Sequence, residues 1–403
     1  MSGRPSFADI TAPVSPSQFL AEYWTRKAVL LRVEGRTFDQ YFDWSAIQAI
    51  LNAGDIAFPK IKLSRSESPV PVEQFTVAAG GQRLVDGRAV LDLFGEGVSF
   101  GITGADSHWP PLRAIVDCLH DALLESVHTN VYCSPPKTQG FQCHFDLHEV
   151  FVLQLQGEKH WRVYAPTTEA PVSSWKAEDS PHQSTAPYLD VVLQPGDILY
   201  VPRGHWHYAV ACDSTSLHVT VGVTCRKGAS FLDWLSADLM RETAWRRNVP
   251  LLATATEGGK LVTPPAIRSW GDELRRSMIA RLQEPDIFDR FTRDILDAAP
   301  AVHNATILEG LCDIERVTFE RPAGRRHYVN EVEDAADGSM TITVAGNEIE
   351  LDRSSAELAC RVLEADAFTM ADVRRWVPGL VTEEAAELLM EFTRAGLLNI
   401  SYR

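Results

Sequence analysis

Apolar positions change period several times along the chain, and each change predicts an element. Ser15, Pro16, Ser17 and Gln18 read as a capping box with Pro16 at the first helical position. The following FLAEYWTRKAVLLR has apolar residues at helical spacing before turning strand-like. Trp44–Leu51 and Leu112–Leu124 suit amphipathic helices, whereas Ile61–Leu84 mixes polar and apolar residues without a dominant period and predicts no element. From Asn130 to Thr224 the pattern is short apolar runs (NVY, EVFVLQLQ, HWRVY, LDVVL, DILYVP, HYAVA, SLHVTVGV) separated by Gly, Pro, Asp and Ser. At least seven short strands of this kind suggest a barrel or double-sheet jelly roll. Helical spacing returns after Lys227, most clearly over Phe231–Trp245, Ile267–Leu282 and Ile287–Leu296. In the last hundred residues, alternation from Met340 and over Glu348–Leu351 predicts a hairpin around Ala345, Gly346 and Asn347. Ser354–Glu357 reads as a second capping box, and short helices end at Gly396 before a final LLNISY strand. The expected organisation is therefore a β-rich unit over 1–228, a helical region over 229–305 and a winged-helix-like unit over 306–403.

Length and charge narrow the classes of function. With 403 residues and 45% hydrophobic content the chain can bury a large core, which excludes a single small binding module. A net charge of −16 disfavours a polyanionic partner, because phosphate-backbone binding rests on clustered Lys and Arg; direct nucleic-acid binding is not expected. No run approaches a membrane span and no secretory leader pattern opens the chain, so the expectation is a soluble, cytoplasmic protein without membrane attachment. Seven cysteines, at 118, 133, 143, 212, 225, 312 and 360, form no CxxC pair and read as reduced thiols.

The candidate chemistry lies in the strand-rich segment. In Cys143-His144-Phe145-Asp146 an imidazole and a carboxylate are two positions apart, so on an extended strand they share a face. Downstream, PGDILYVPRGHWH supplies a second imidazole at His207, from a strand that a jelly roll can return beside the first. Two imidazoles and one carboxylate on one side of a metal leave three positions open, the facial arrangement that Fe(II) oxygenases use. His148 would share a face with His144 and Asp146, and His205 with His207, so either is a rival ligand in an all-His site. His207 is preferred because GHWH sits at a Gly-led turn and His207 is the one followed by a strand. His160 beside Trp161, and His148 beside Glu149, read more simply as ordinary polar residues.

Open metal positions need an anchor for an anionic cosubstrate. Lys159, opening the strand that follows the Gly157-Glu158 turn, is the best candidate, because its ammonium can sit deep in the barrel and meet a carboxylate. Asn130 and Tyr132 alternate on the NVY strand and could both face inwards, and His218 in SLHVTVGV either lines the cavity or is packed.

HFD, EVFVLQLQGEKHWRVY, PGDILYVPRGHWHYA and SLHVTVGV together closely resemble the JmjC-type cupins of the ribosomal-oxygenase group, in detail over residues 130–224. The resemblance implies a mixed α and β protein: a double-stranded β-helix (cupin, jelly-roll) catalytic domain, a helical dimerisation region and a C-terminal winged helix. It implies a 2-oxoglutarate- and Fe(II)-dependent dioxygenase that consumes O2 and hydroxylates an amino-acid side chain, in this group one of a ribosomal protein. Residue by residue, it places Fe(II) on His144, Asp146 and His207, the distal carboxylate of 2-oxoglutarate on Lys159, and Asn130 and Tyr132 in the same pocket. His205 departs from the family, which more often has an apolar or small residue there. Two other readings remain open at this point: the same iron chemistry on a free amino acid or natural-product peptide, and a non-catalytic cupin regulator with a DNA-binding winged helix. Against the latter, Glu364–Arg403 holds more acidic than basic residues.

Overall fold

A computed structural model describes residues 5–402 apart from 66, 174–184, 252–255, 258–259, 262, 298–313, 322–327, 332–338, 345–346 and 395–396. The chain divides into two compact units, Met1–Cys225 and Arg226–Arg403.

The first unit opens with α1 (Phe7–Thr11) and α2 (Pro16–Glu22). Ser15 caps α2 by accepting from the Gln18 backbone, with Pro16 at the first position, but Gln18 turns its carboxamide to Glu22 rather than back to the cap. Phe19 is the only buried residue of α2, and its ring packs edge-on against Tyr200 at 5.0 Å and near Phe151 at 5.7 Å. β1 (Val29–Leu31) and α3 (Trp44–Ala53) follow. The stretch without a sequence period contains four short strands, β2 (Ile61–Arg65), β3 (Ser68–Pro69) and the hairpin β4 (Thr76–Ala79) and β5 (Gln82–Val85); after α4 (Gly87–Gly95) comes β6 (Ser99–Thr103). Their pattern is blurred because β2 buries Ser64 alongside Ile61 and Leu63, while β4 buries only Thr76.

After α5 (Arg113–Leu123) come the strands that the sequence predicts: β7 (Ser126–Ser134), β8 (Glu149–Gln156), β9 (Lys159–Tyr164), β10 (Leu189–Leu193), β11 (Ile198–Val201), β12 (Trp206–Ala211) and β13 (Ser216–Thr224). They form an eight-stranded sheet, in the order β1-β11-β8-β13-β7-β6-β2-β3, and a three-stranded sheet, β10-β9-β12, with antiparallel pairing throughout. β8 shows why EVFVLQLQ is a continuous apolar run. Phe151, Leu153 and Leu155 pack outwards with Phe19 and the helices, while Val150 and Val152 pack inwards with Trp161 and Val163 of the small sheet. A strand covered on both faces has no polar side to alternate with. The turn from β8 to β9 requires Gly157: its φ is +66°, and a Cβ there would lie 2.0 Å from the Thr215 carbonyl oxygen. The six described cysteines form no disulfide among the described residues.

In the second unit the expected helix over Phe231–Trp245 is two helices, α6 (Gly228–Leu239) and α7 (Thr243–Arg246). The short pair β14 (Thr256–Glu257) and β15 (Lys260–Leu261) precedes α8 (Pro265–Leu282) and α9 (Ile287–Asp297). Arg281 links α8 to Asp238 and Glu242, and Phe231 packs against Trp234, Phe288 and Phe291. Beyond them lie β16 (Val317–Glu320), β17 (Tyr328–Glu331), β18 (Met340–Val344), β19 (Asn347–Leu351), α10 (Arg353–Glu364), β20 (Ala367–Phe368), α11 (Met370–Trp376), α12 (Thr382–Arg394) and β21 (Asn399–Tyr402). The strands make two three-stranded sheets, β20-β16-β21 and β17-β18-β19, around one apolar cluster that includes Phe319, Leu358, Phe368 and Leu389. α10 is capped by Asp352, which accepts from the Ser355 backbone, two positions before the expected box at Ser354; a carboxylate is a strong acceptor at a helix start. The tip of the expected hairpin at Ala345 and Gly346, the helix end at Gly396 and the expected boundary near residue 305 lie outside the described residues. Among the described residues no helix is long and apolar enough to cross a membrane.

Candidate metal centre

The chain from Pro135 to His148 leaves β7 and runs antiparallel along β12 without forming a regular strand. Isolated bridges pair Gln139 with Val210 and His144 with His207. The His144 backbone N–H donates to the His207 carbonyl at 3.1 Å, and the His207 N–H donates to the His144 carbonyl at 2.7 Å. Lys137 and Ala211 extend the contact through bonds to the Cys212 and Thr138 carbonyls, and Gly204 N–H reaches the Asp146 carbonyl at 2.9 Å. The shared face inferred for His144 and Asp146 therefore comes from one bridge rather than from a strand ladder.

Alternation about that bridge sorts the side chains. Phe145 and Trp206 point away and meet edge to face at 4.9 Å. His144, Asp146 and His207 point to the cavity, where their ligand atoms all lie within 4.8 Å of one another. His207 Nε2 is 3.6 Å from Asp146 Oδ2, and the two imidazole centroids are 4.6 Å apart. Each imidazole donates its Nδ1–H to a carbonyl two residues back, His144 to Gln142 at 2.7 Å and His207 to His205 at 3.0 Å. That fixes the tautomer and leaves both Nε2 lone pairs for a metal. Burial, reinforced by the neighbouring His144, lowers the His207 pKa and so favours the neutral ring that a metal requires. The rival His205 turns elsewhere: its Nδ1 meets the Tyr188 hydroxyl at 2.6 Å, away from the cluster.

The cluster opens on a cavity of about 420 Å³, into which β7, β9 and β13 also project side chains. On β9, Lys159 and Trp161 point inwards, while His160 and Arg162 point outwards and pair with Asp190. Lys159 is buried and donates to Ser134 Oγ at 2.9 Å. Burial depresses its pKa to about 8, with the nearby Cys133 thiol opposing that shift. On β7, Asn130 and Tyr132 both line the cavity; Asn130 Oδ1 accepts from Gly104 N–H at 3.2 Å, and burial pushes the Tyr132 hydroxyl pKa up. Gly101 lets that ring lie across β6, since a Cβ there would come within 2.9 Å of it. On β13, His218 is buried, stacks on Tyr132 at 5.2 Å and has an Nδ1 without a hydrogen-bond partner among the described residues; burial, then Lys159, holds its pKa well below the usual range.

All seven residues singled out from the sequence thus line one cavity. Sequence reasoning missed Ser134 and His128, although both lie on the inward face of β7. Continuing the alternation of Asn130 and Tyr132 by two positions each way would have found them. His148, taken for an ordinary polar residue, also lines the cavity.

Comparison with known proteins adds to this geometry. Residues 109–231 match the family model of the JmjC domain. A Drosophila persimilis protein named bifunctional lysine-specific demethylase and histidyl-hydroxylase NO66 is 34% identical over 224 residues, covering 54% of this chain and 31% of the relative. Ribosomal oxygenase 1 of Gallus gallus is 33% identical over 223 residues, covering 53% of this chain and 36% of the relative. The chain thus spans about a third of the length of these curated relatives. The Escherichia coli ribosomal oxygenase YcfD, solved with cobalt and 2-oxoglutarate, matches 96% of this chain and 99% of its own, with a TM-score of 0.58 at 17% identity, a likeness of fold. The chain is a mixed α and β protein whose first unit carries a JmjC, cupin-type fold.

Removing a ligand and removing its rival should separate cleanly. His207→Ala is expected to weaken Co(II) or Mn(II) binding by more than the roughly 10–100-fold that loss of an outer hydrogen-bond partner costs. His205→Ala keeps the carbonyl that orients His207 and should leave metal affinity nearly unchanged. Calorimetric titration of both variants reads the difference, and equal losses would remove the distinction between them.

Proposed function

We propose that the first unit holds Fe(II) on His144, Asp146 and His207 and, with 2-oxoglutarate and O2, hydroxylates an amino-acid side chain of a ribosomal protein. The donor set fits the ion: two Nε2 lone pairs and one carboxylate converge within 4.8 Å, and no fourth protein ligand joins them among the described residues. The observation that carries the reading beyond a generic metal site is Lys159, a buried ammonium in the same cavity whose one hydrogen bond goes to a neutral hydroxyl. A buried cation without a carboxylate partner among the described residues suits a dianionic cosubstrate. Bound iron would supply the redox chemistry, in which one oxygen atom of O2 enters the C–H bond and the other enters succinate as 2-oxoglutarate loses CO2.

In this reading the protein's own residues bind and orient. Lys159 and Ser134 hold the distal carboxylate, Tyr132 and the unpartnered Nδ1 of His218 lie beside it, and Trp161, packed between His207 and His218, excludes water. Asn130 braces the Gly104 turn at the cavity wall. The net charge of −16 favours a basic substrate, as ribosomal-protein loops are. The names of the relatives, ribosomal oxygenase and histidyl-hydroxylase, point the same way. A cytoplasmic location and a winged-helix-like 306–403 unit that binds no nucleic acid directly belong to the same reading.

Anaerobic addition of Fe(II) and 2-oxoglutarate should give a weak visible charge-transfer band. Addition of O2 with ribosomes of the source organism should then give succinate and one ribosomal protein heavier by a single oxygen atom. Well-folded protein with neither band nor succinate sinks the iron reading; succinate with unmodified ribosomes but an oxidised free amino acid or small peptide would transfer the activity to that substrate.

Lys159 sets a pH dependence. The dianion binds the protonated amine, and in the free protein that amine titrates at about 8. Above that pH a proton must be taken up on binding, so 2-oxoglutarate affinity should fall by up to about tenfold per pH unit, while below it the affinity stays level. Lys159→Arg should flatten the profile between pH 7 and about 9.5, because a guanidinium does not titrate there.

The helical region supports the proposed homodimer. Leu232, Ile279, Leu282 and Phe288 are exposed on α6, α8 and α9. Sedimentation should find a dimer that Leu232→Asp together with Phe288→Asp reduces to a monomer; a monomeric wild type would rule it out.

A further inference from the structure

The carboxyl group of Glu149 is buried on the side of β8 away from the cavity. Glu149 opens that strand on the face that carries Phe151 and Leu153, three residues after Asp146. Its Oε2 accepts from the Tyr200 hydroxyl and, at 3.3 Å, from the Arg203 backbone N–H. The Tyr200 oxygen in turn accepts from the Thr25 N–H at 2.8 Å. Tyr200 is itself fully buried, its ring stacked on Trp24 at 5.7 Å and near Phe19 and Phe151 at 5.0 and 5.1 Å. One line of polar groups thus runs from the residues just past α2 through Tyr200 to the carboxyl group, and on to the turn after β11.

Pro202 explains why a side chain is needed there. The ladder between β8 and β11 ends where Val150 faces Val201, and Pro202, next along, has no N–H to extend it. Arg203 supplies the next donor, and Glu149 meets it with a side-chain oxygen. The following N–H, that of Gly204, donates to the Asp146 carbonyl at 2.9 Å. Successive N–H groups of one turn are therefore held by the two ends of the Asp146–Glu149 segment, and three residues beyond Gly204 the chain reaches His207. Main-chain pairing of His144 with His207 fixes one side of Asp146, and this turn fixes the other. Between them they set how the Asp146 carboxylate meets the His207 imidazole, 3.6 Å apart. Burial pushes the Glu149 carboxyl pKa up, and the bonds from Tyr200 and Arg203 oppose that shift. An apolar side chain would avoid the desolvation but leave the buried Tyr200 hydroxyl and the Arg203 N–H without this acceptor.

We propose that Glu149 is a positioning residue of the metal centre: braced by Tyr200, it locks the 202–204 turn and thereby the separation of Asp146 and His207. It acts through that turn and lines no part of the cavity. The role rests on the metal reading above and is independent of what the protein hydroxylates.

Calorimetric titration of the metal-free full chain with Co(II) tests this, together with the visible absorption of bound Co(II), which reports coordination geometry. Glu149→Ala should lower Co(II) affinity about tenfold and alter the visible band, within the range that loss of an outer hydrogen-bond partner costs. Glu149→Gln keeps an oxygen that accepts from Arg203 and Tyr200, and should hold affinity within about threefold of wild type. Tyr200→Phe, nearly isosteric, should cost about threefold. Combined with Glu149→Ala it should cost no more than Glu149→Ala alone, because the two residues act as a unit. Val90→Ala on α4 truncates a buried residue outside the cavity lining; it should lower Tm and leave both affinity and band unchanged. Wild-type affinity and band in folded Glu149→Ala or Tyr200→Phe, a loss that Val90→Ala matches, or a double variant whose loss is the product of the two single losses would each overturn the assignment. If Glu149→Ala does not fold, Tyr200→Phe decides alone. Wild-type protein that binds no Co(II) would overturn the metal reading, and this one with it.

Discussion

Two main-chain hydrogen bonds between His144 and His207 hold the candidate metal site together. They join a segment with no regular secondary structure to the edge of the three-stranded sheet and thereby set which side chains face the cavity. β12 in turn pairs with β9, so the same small sheet carries His207 on one strand and Lys159 with Trp161 on the next. The candidate metal ligands and Lys159, the proposed carboxylate anchor, are therefore fixed relative to one another by backbone pairing. Side-chain packing supplies the rest, through Phe145 on Trp206 outside and Trp161 between His207 and His218 inside.

That cavity is expensive for the fold to maintain empty. Lys159 is buried beside a hydroxyl and a thiol rather than a carboxylate, and its depressed pKa is the sign of that desolvation. His218 leaves a buried ring nitrogen without a partner. Buried polar groups left unsatisfied in this way reduce stability, and a ligand that completes their bonds recovers it. The apolar covering of β8 on both faces and of β13 on its outer face supplies burial to offset the loss.

The sequence was most legible where strands are short, strongly apolar and sharply punctuated. All the runs from Asn130 to Thr224 became strands, because Gly, Pro and Asp interrupt them at turns such as Gly157, which only glycine fits. The HxD motif could be read because alternation survives even along an irregular segment, provided one bridge sets its phase. Residues 61–84 were opaque: strands of two to five residues bury too few side chains to show a period, and Ser64 sits in the core where an apolar residue is expected. Ser134 and His128 escaped because neither residue type signals chemistry alone, and their significance comes from the parity of β7. Turn context already favoured His207 over His205, and Tyr188, remote from any motif, holds the His205 ring.

Both imidazole ligands take their orientation from a backbone carbonyl, that of Gln142 for His144 and that of His205 for His207. Many metal sites rely on a carboxylate or amide side chain for this purpose, and each such helper is one more residue that heredity must preserve. Here every amino acid supplies the needed acceptor, so positions 142 and 205 can drift without disturbing the ligands. A lineage carrying this barrel can thus remodel the surroundings of the candidate metal site, including a histidine two residues before His207, while the geometry at its centre stays in place.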